Sequence, residues 1–328
     1  MSRRLNWIAA AIGIVLGPVA ACAQLANFPN QPVHIISDSA PGSTPDISLR
    51  LLAEELGRIW GQQVITINQP GAGGAIAARA AAAAAPDGYT LFMPASSTFL
   101  QIKGMPGVAD GLPLELPRDF LPVGFVTLLP MFIGVSHTLG VNSVGELIDL
   151  ARRKPNDIAY ATTGRGRFTH LTMELLQQRA GIQLRLVTYA GGPAAAMPDV
   201  VSGRVAIVIE GYSGVASAMQ GNIIQSLAVA SPERLPGFEN LATVAETLPG
   251  FSANGWSILV APRGVSDAIV NKISADLNKA LESRELNAKY NALGAFTRHM
   301  SPEQVTAFTR SEQAAWRPIL EKVARESP

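Results

Sequence analysis

A chain of 328 residues with 48% hydrophobic content is long enough for two cores, and its single cysteine excludes a disulfide framework or a thiolate metal site. The 26 basic residues nearly balance the 25 acidic ones, for a net charge of +1, and no basic run is interleaved with aromatics. That excludes a polyanion-binding surface, so nucleic acid is not an expected partner.

The N-terminus reads as an export signal. Arg3 and Arg4 precede an apolar segment at 5–16, a break at Gly17 and Pro18, and the small residues Ala21 and Ala23 before Gln24. Cleavage after Ala23 makes 1–23 a signal peptide and leaves a mature protein without cysteine. In a competing reading Val19-Ala20-Ala21-Cys22 resembles a bacterial lipobox, and Cys22 carries a lipid anchor. The apolar segment is too short to span a bilayer as a helix. Both readings place the working protein outside the cytoplasmic membrane.

Residues 33–37 predict a strand, followed by a loop of Asp38, Ser39, Ala40, Pro41, Gly42 and Ser43 and a helix opened by Thr44-Pro45-Asp46. Thr44 is the expected cap, Pro45 suits the first helical position, and Asp46 is favoured by the helix dipole. The plan repeats with a strand at 64–68, a loop carrying Gly71, Ala72, Gly73 and Gly74, and an alanine-rich helix at 75–85 ended by Pro86-Asp87-Gly88. Ligands of open α/β sheets sit beyond the carboxyl ends of the strands, where helix N-termini offer unpaired N–H groups to an anion. The two loops are therefore expected to grip one small carboxylate through main-chain donors. A third strand at 89–93 delivers Ser96 and Ser97 to the same side, and the Gly- and Pro-rich stretch 103–121 predicts an irregular surface segment.

The apolar run 123–135 predicts a strand that crosses into a second domain, where Ser143-Val144-Gly145-Glu146 reads as a capping box. A strand at 158–161 leads to Thr162, Thr163, Gly164, Arg165, Gly166 and Arg167, then a helix at 168–179 stopped at Gly181. Strands at 184–189 and 205–209 end at Tyr189 and at Glu210. Three strands ending in glycine-containing polar loops predict a second crevice edge. Its hydroxyls can bond a distal carboxylate, with Arg165 or Arg167 as a bidentate clamp. Residues 226–230 are expected to return the chain to the first domain, followed by a strand at 256–260 and a helix at 266–281. Ile269, Ile273, Leu277 and Leu281 mark that helix's buried face, and a last helix capped at Ser301 bears Val305, Phe308, Trp316 and Leu320. The expected division is 28–127 plus 231–328 as domain one and 128–230 as domain two.

A strand, a Pro-Gly-x-x-x-Asp loop and a helix, then Asn-x-Pro-Gly-Ala-Gly-Gly and Pro-Asp-Gly-Tyr-Thr-Leu, resemble the Bug family, the solute-binding proteins of tripartite tricarboxylate transporters. Gly-x-Gly-x-x-x-His in the second domain and the region 256–264 extend the resemblance over essentially the whole mature chain. It implies a two-lobed α/β type II periplasmic binding-protein fold with two crossover strands. It also implies a monomeric receptor, not an enzyme, that captures a small organic mono- or dicarboxylate or an aromatic acid and delivers it to the transporter's membrane subunits. In that family the 71–74 loop is the second jaw on the ligand. The chain departs from the family pattern at Asp38, where many members have Pro, and at Arg165 and Arg167, where uncharged residues are commoner. Glu210 stands where Asp is common. His170 matches the family's histidine, and its helical spacing from Glu174 predicts a packing or capping role.

No cofactor or metal is expected. The 71–74 loop departs from a dinucleotide fingerprint because the third glycine position falls on Ile76. A sensor that docks on a signalling partner is the alternative function. An exported hydrolase is disfavoured, since neither a Gly-x-Ser-x-Gly elbow nor a His-Glu-x-x-His motif is present.

Overall fold

The computed structural model describes residues 28–103, 105, 111–189 and 192–325. The export segment and Cys22 lie outside the described residues. In the first lobe β1 (Val33–Ser37), β2 (Val64–Asn68) and β3 (Thr90–Met93) alternate with α1 (Thr44–Trp60), α2 (Ala75–Ala82) and α3 (Ser96–Leu100). β4 (Phe120–Val135) leads to the second lobe, built from α4 (Val144–Arg153), β5 (Ala159–Thr162), α5 (Phe168–Ala180), β6 (Arg185–Thr188), α6 (Gly192–Val201), β7 (Ile207–Gly211), α7 (Tyr212–Gln220) and β8 (Gln225–Val229). β9 (Asn254–Pro262), α8 (Asp267–Leu281), α9 (Arg284–Ala292) and α10 (Pro302–Arg325) complete the described chain.

β1 pairs in parallel with both neighbours, Val33 opposite Val64 and His34 opposite Thr90. β5 pairs in parallel with β6 and β7. Parallel strands bring their carboxyl ends to one side, so the loops after β1, β2 and β3 converge, as do those after β5, β6 and β7. Among the described residues one curled sheet runs β2-β1-β3-β9-β4-β7-β5-β6, with β8 added to β4. The element that joins its halves is β4, 16 residues and roughly 50 Å long at about 3.3 Å per residue. Its residues 120–130 pair with β9, and its residues 131–135 pair with β7 and β8.

The expected crossing on β4 is therefore present. The return is displaced from 226–230. β8 stays on the second-lobe end of β4, with Phe132 opposite Val229. The chain recrosses only where the Ala253 N–H meets Ala230 O (2.8 Å) and Asn254 pairs with Pro130. The intervening Val244 and Phe251 pack into the same cluster as Leu147 and Leu176, which holds this stretch against the second lobe.

Each lobe buries apolar side chains on both faces of its part of the sheet. In the first lobe Leu49, Leu52 and Leu56 of α1 meet Ile269, Ile273 and Leu277 of α8, the four-residue repeat read from sequence. On the other face, Ala75, Ala77, Ala78 and Ala81 let α2 approach closely. α2 ends at Ala82 rather than 85 because its last turn tightens, the Ala84 N–H bonding Ala81 O (3.1 Å). The stretch that leaves the carboxyl end of β3 turns helical at Ser96 and forms α3. Ser143 caps α4 by accepting the Glu146 N–H (3.1 Å), but Glu146 reaches one residue farther back than a capping box requires, to the Asn142 N–H (2.7 Å).

α10 is the second element that spans the halves. Its 24 residues extend about 36 Å. Val305 lies in the first-lobe cluster with Trp256, whereas Trp316, Ile319, Leu320 and Val323 lie in the second-lobe cluster. Polar contacts follow the same division. The Trp256 indole donates to Glu312 (3.1 Å) on the first-lobe side, and Lys322 pairs with Glu174 (2.8 Å) on the second.

Candidate functional site

The first-lobe loops are bound to each other before any ligand is considered. Asp46, buried in the first turn of α1, accepts the Gly42 N–H (2.7 Å) and the Arg50 guanidinium (3.1 Å) on one oxygen and the Asn68 amide (2.8 Å) on the other. Asn68 also donates to Ser39 O (3.1 Å). One carboxylate and one amide thus tie the β1 loop to the end of β2. The residue read as a helix-start acid is the clasp of the site.

This alters which donors are available. The N–H of Gly42, expected to face a ligand, is taken by Asp46, and that of Ser43 by Ala40 O (3.2 Å). The helix cap is Ser43, not Thr44, although its hydroxyl bonds Ala40 O instead of capping. Thr44 instead hydrogen-bonds Ser213 at the start of α7, across the two lobes. Among the described residues, the N–H groups of Ala40, Thr44, Gly71, Ala72 and Gly73 have no partner.

Asp38 sits deeper than its place in the loop implies. Its carboxylate accepts the Ala95 N–H (2.8 Å) and the Thr98 hydroxyl, so it anchors the start of α3. Burial pushes its pKa up, opposed by those two bonds and by the positive charge of Arg167. Gly74 is required beside it. A Cβ there would lie 2.6 Å from the Asp38 carboxylate and 2.5 Å from the Thr98 hydroxyl, at a backbone φ of +101°. A Gly74→Ala change is expected to cost about 1–3 kcal/mol through overpacking and a left-handed backbone. Gly42→Ala, also left-handed but with open space around its Cβ, should cost less. Chemical denaturation of the two variants side by side checks the order.

Ser96 and Ser97 are buried at the start of α3, on the same side as these loops. Across from them, Thr162 and Thr163 both share hydrogen bonds with Thr169 (2.6 and 3.4 Å), so the Thr162 hydroxyl is committed to holding its own loop. Tyr189 donates to Asp199 (2.5 Å) and is likewise engaged. Thr162, Thr163, Tyr189, Pro193 and Glu210 line a cavity of about 10 Å³, room for roughly one water. A larger hollow of about 430 Å³ lies against α1 and the outer strand β2 at Arg50, Glu54 and Gln62, away from the convergent loops. Size therefore does not locate the site.

The two arginines part company. The charge of Arg165, beyond Gly164, acts on the Tyr160 phenol, whereas that of Arg167 acts on both Asp38 and Glu210. Arg167, the exposed residue at the N-terminus of α5, is thus the cation shared by the two lobes' acids. Glu210 accepts the Gly211 N–H (3.0 Å). Burial pushes its pKa up, opposed by that bond and by Arg167. Ser213 was absent from the expected contacts. Its sequence signal was a hydroxyl two residues past the glycine that ends β7. A Cβ on Gly211 would lie 2.9 Å from the Thr44 hydroxyl, which measures how closely the lobes meet.

Residues 48–324 match the model of the tripartite tricarboxylate transporter family receptor. The chain belongs to this receptor family. It is a solute-binding receptor of the Bug type, and the resemblance read from its loops holds. Protein BugT of Bordetella pertussis is 31% identical over 320 residues, covering 96% of this chain and 97% of that protein. A solved R. palustris receptor with adipate superposes with a TM-score of 0.80 at 28% identity, covering 90% of this chain and 98% of the other. MatC from Rhodopseudomonas palustris, with bound malate, gives 0.75 at 25% identity, covering 89% and 100%. The periplasmic binding protein BugD superposes with a TM-score of 0.75 at 26% identity, covering 90% of this chain and 98% of the other. Among the described residues no helix is long and apolar enough to cross a membrane, and no group of three or more His, Cys, Asp or Glu side chains can hold a metal.

Proposed function

We propose that this receptor captures a small organic acid where the convergent loops of its two lobes meet. Supporting the first-lobe half are the unpartnered N–H groups of Ala40, Thr44, Gly71, Ala72 and Gly73, with the Ser96 and Ser97 hydroxyls beside them. Opposite stand Thr163, Arg167 and Glu210. The single observation that carries the reading is the set of unpartnered main-chain N–H groups on the two first-lobe loops, which the Thr44 to Ser213 contact sets against the second lobe. A ligand carboxylate gains a charge-assisted, bidentate partner at Arg167. Glu210, with its raised pKa, suits a ligand hydroxyl or a protonated acid oxygen rather than a second bare carboxylate. Adipate and malate in related receptors agree with this chemistry.

In this reading the chain binds and releases its ligand without transforming it. It is exported by the signal at 1–23 or held through Cys22, acts as a monomer in the periplasm, and passes its ligand to the membrane subunits of a tripartite tricarboxylate transporter. In this reading the first lobe runs over 28–130 plus 254–325 and the second over 131–253, with the return at 253 rather than 231. A thermal-shift screen of small mono- and dicarboxylates, with amines and sugars as controls, tests the ligand class. An acid present at a hundredfold its dissociation constant stabilises the fold by about 2.7 kcal/mol, a rise of several degrees in unfolding temperature. A screen in which no acid shifts the transition while a control compound does would retire the acid reading.

A further inference from the structure

The second lobe buries a polar chain that the ligand contacts leave unused, and it runs from the Arg167 loop to α10. The Gly166 N–H donates to His170 Nδ1 (3.0 Å), and the other ring nitrogen lies 3.6 Å from Glu174 Oε1, an electrostatic contact. Glu174 in turn accepts the Tyr160 hydroxyl (3.3 Å), the Gln177 amide (2.8 Å) and the Lys322 ammonium of α10 (2.8 Å). His170 and Tyr160 are buried. A ring nitrogen that accepts an N–H carries no proton, so His170 is the neutral tautomer with its proton on Nε2, toward Glu174. The charged and titratable groups around it are Glu174 on its own helix, Tyr160 from β5, Lys322 from α10, and Arg165, whose charge acts on Tyr160. Burial raises the Glu174 pKa, but the Nε2 proton of His170 and the Lys322 ammonium more than reverse it, so this acid stays ionised.

We propose that His170 is a positioning residue for ligand capture: as a neutral imidazole it pins the Gly166 N–H and thereby fixes the turn that presents Arg167, one residue on, to the cleft. The proposal rests on the reading of that cleft as the acid site. The anchor at Gly166 is a backbone contact, so no change to Arg167 itself reproduces its loss.

The anchor can be measured on the ligand-free protein by amide hydrogen exchange at Gly166. Wild type is expected to show about tenfold more protection there than His170→Leu, which lacks the acceptor. His170→Asn places an amide oxygen where Nδ1 stood and should keep the protection. Calorimetric affinities for adipate and malate should follow the same order. Gly166 protection that is unchanged in His170→Leu overturns the anchor. A released turn with wild-type affinity in His170→Leu overturns the positioning role. If neither acid binds wild type, adipate and malate are not ligands of the cleft, while the exchange data still decide the anchor.

Discussion

Asp46→Ala lowers the unfolding free energy by about 3 kcal/mol, because one side chain at the start of α1 holds the β1 loop to the end of β2. Its carboxylate is the common acceptor for the Gly42 N–H, the Asn68 amide and Arg50. Arg50 is half exposed and regains water when the carboxylate is removed. The Gly42 N–H and the Asn68 amide are part-buried, and each unpaired donor costs about 1–3 kcal/mol. Asp46→Asn should fall between, because an amide can accept on one side only. Urea denaturation near neutral pH measures all three proteins, and an Asp46→Ala loss under about 1 kcal/mol would show that the clasp is dispensable.

The same group makes a pH statement. Burial alone would raise the Asp46 pKa, but the Gly42 N–H, Arg50 and Asn68 more than reverse it, so the folded value lies below 3.8. The folded state therefore holds this proton less readily than the unfolded chain. Its contribution is fully present above the unfolded value and is lost as pH falls through the folded one. Wild-type stability should drop more steeply than that of Asp46→Asn on acidification below about pH 4.

Arg167→Ala is expected to weaken acid binding by about 10- to 100-fold, the loss of one or two charge-assisted hydrogen bonds. Removing the guanidinium also removes the positive charge that acts on Asp38 and Glu210. Arg165→Ala, whose charge acts on Tyr160 instead, should stay within about twofold. Both side chains are exposed, so neither change should move the unfolding midpoint. Calorimetric titration with a monoacid and a diacid distinguishes the two. A larger loss in Arg165→Ala than in Arg167→Ala would reverse the assignment.

What the amino-acid order revealed, and what it hid, divides by range. The strand-loop-helix units of the first lobe, the buried repeat of α8 and the stop of α5 at Gly181 are local signals, and all are present. The long apolar run of β4 was legible as a crossing because no single lobe needs a strand of that length. The hidden features depend on where a side chain turns. Asp46 folds back on Gly42 instead of leaving that N–H to a ligand, and Thr162 spends its hydroxyl on Thr169. Arg165 and Arg167 are separated by one glycine in a turn whose direction no periodicity specifies. The Thr44 and Ser213 contact joins residues 169 apart in sequence, and neither shows a local mark of its partner. Likewise, the α10 stripe announced a buried face but not that it would be shared between two cores.

That sharing restricts how the receptor can open. A rod clamped at Val305 in one half and at Trp316 to Val323 in the other turns rotation of the halves into flexure of the rod. Pro318 lies within the second clamp and removes a backbone donor there, so the helix is weakest where that clamp begins. Gaping of the mouth should therefore be felt first as bending near Pro318, beside the Trp316 ring that packs on Phe168 next to Arg167.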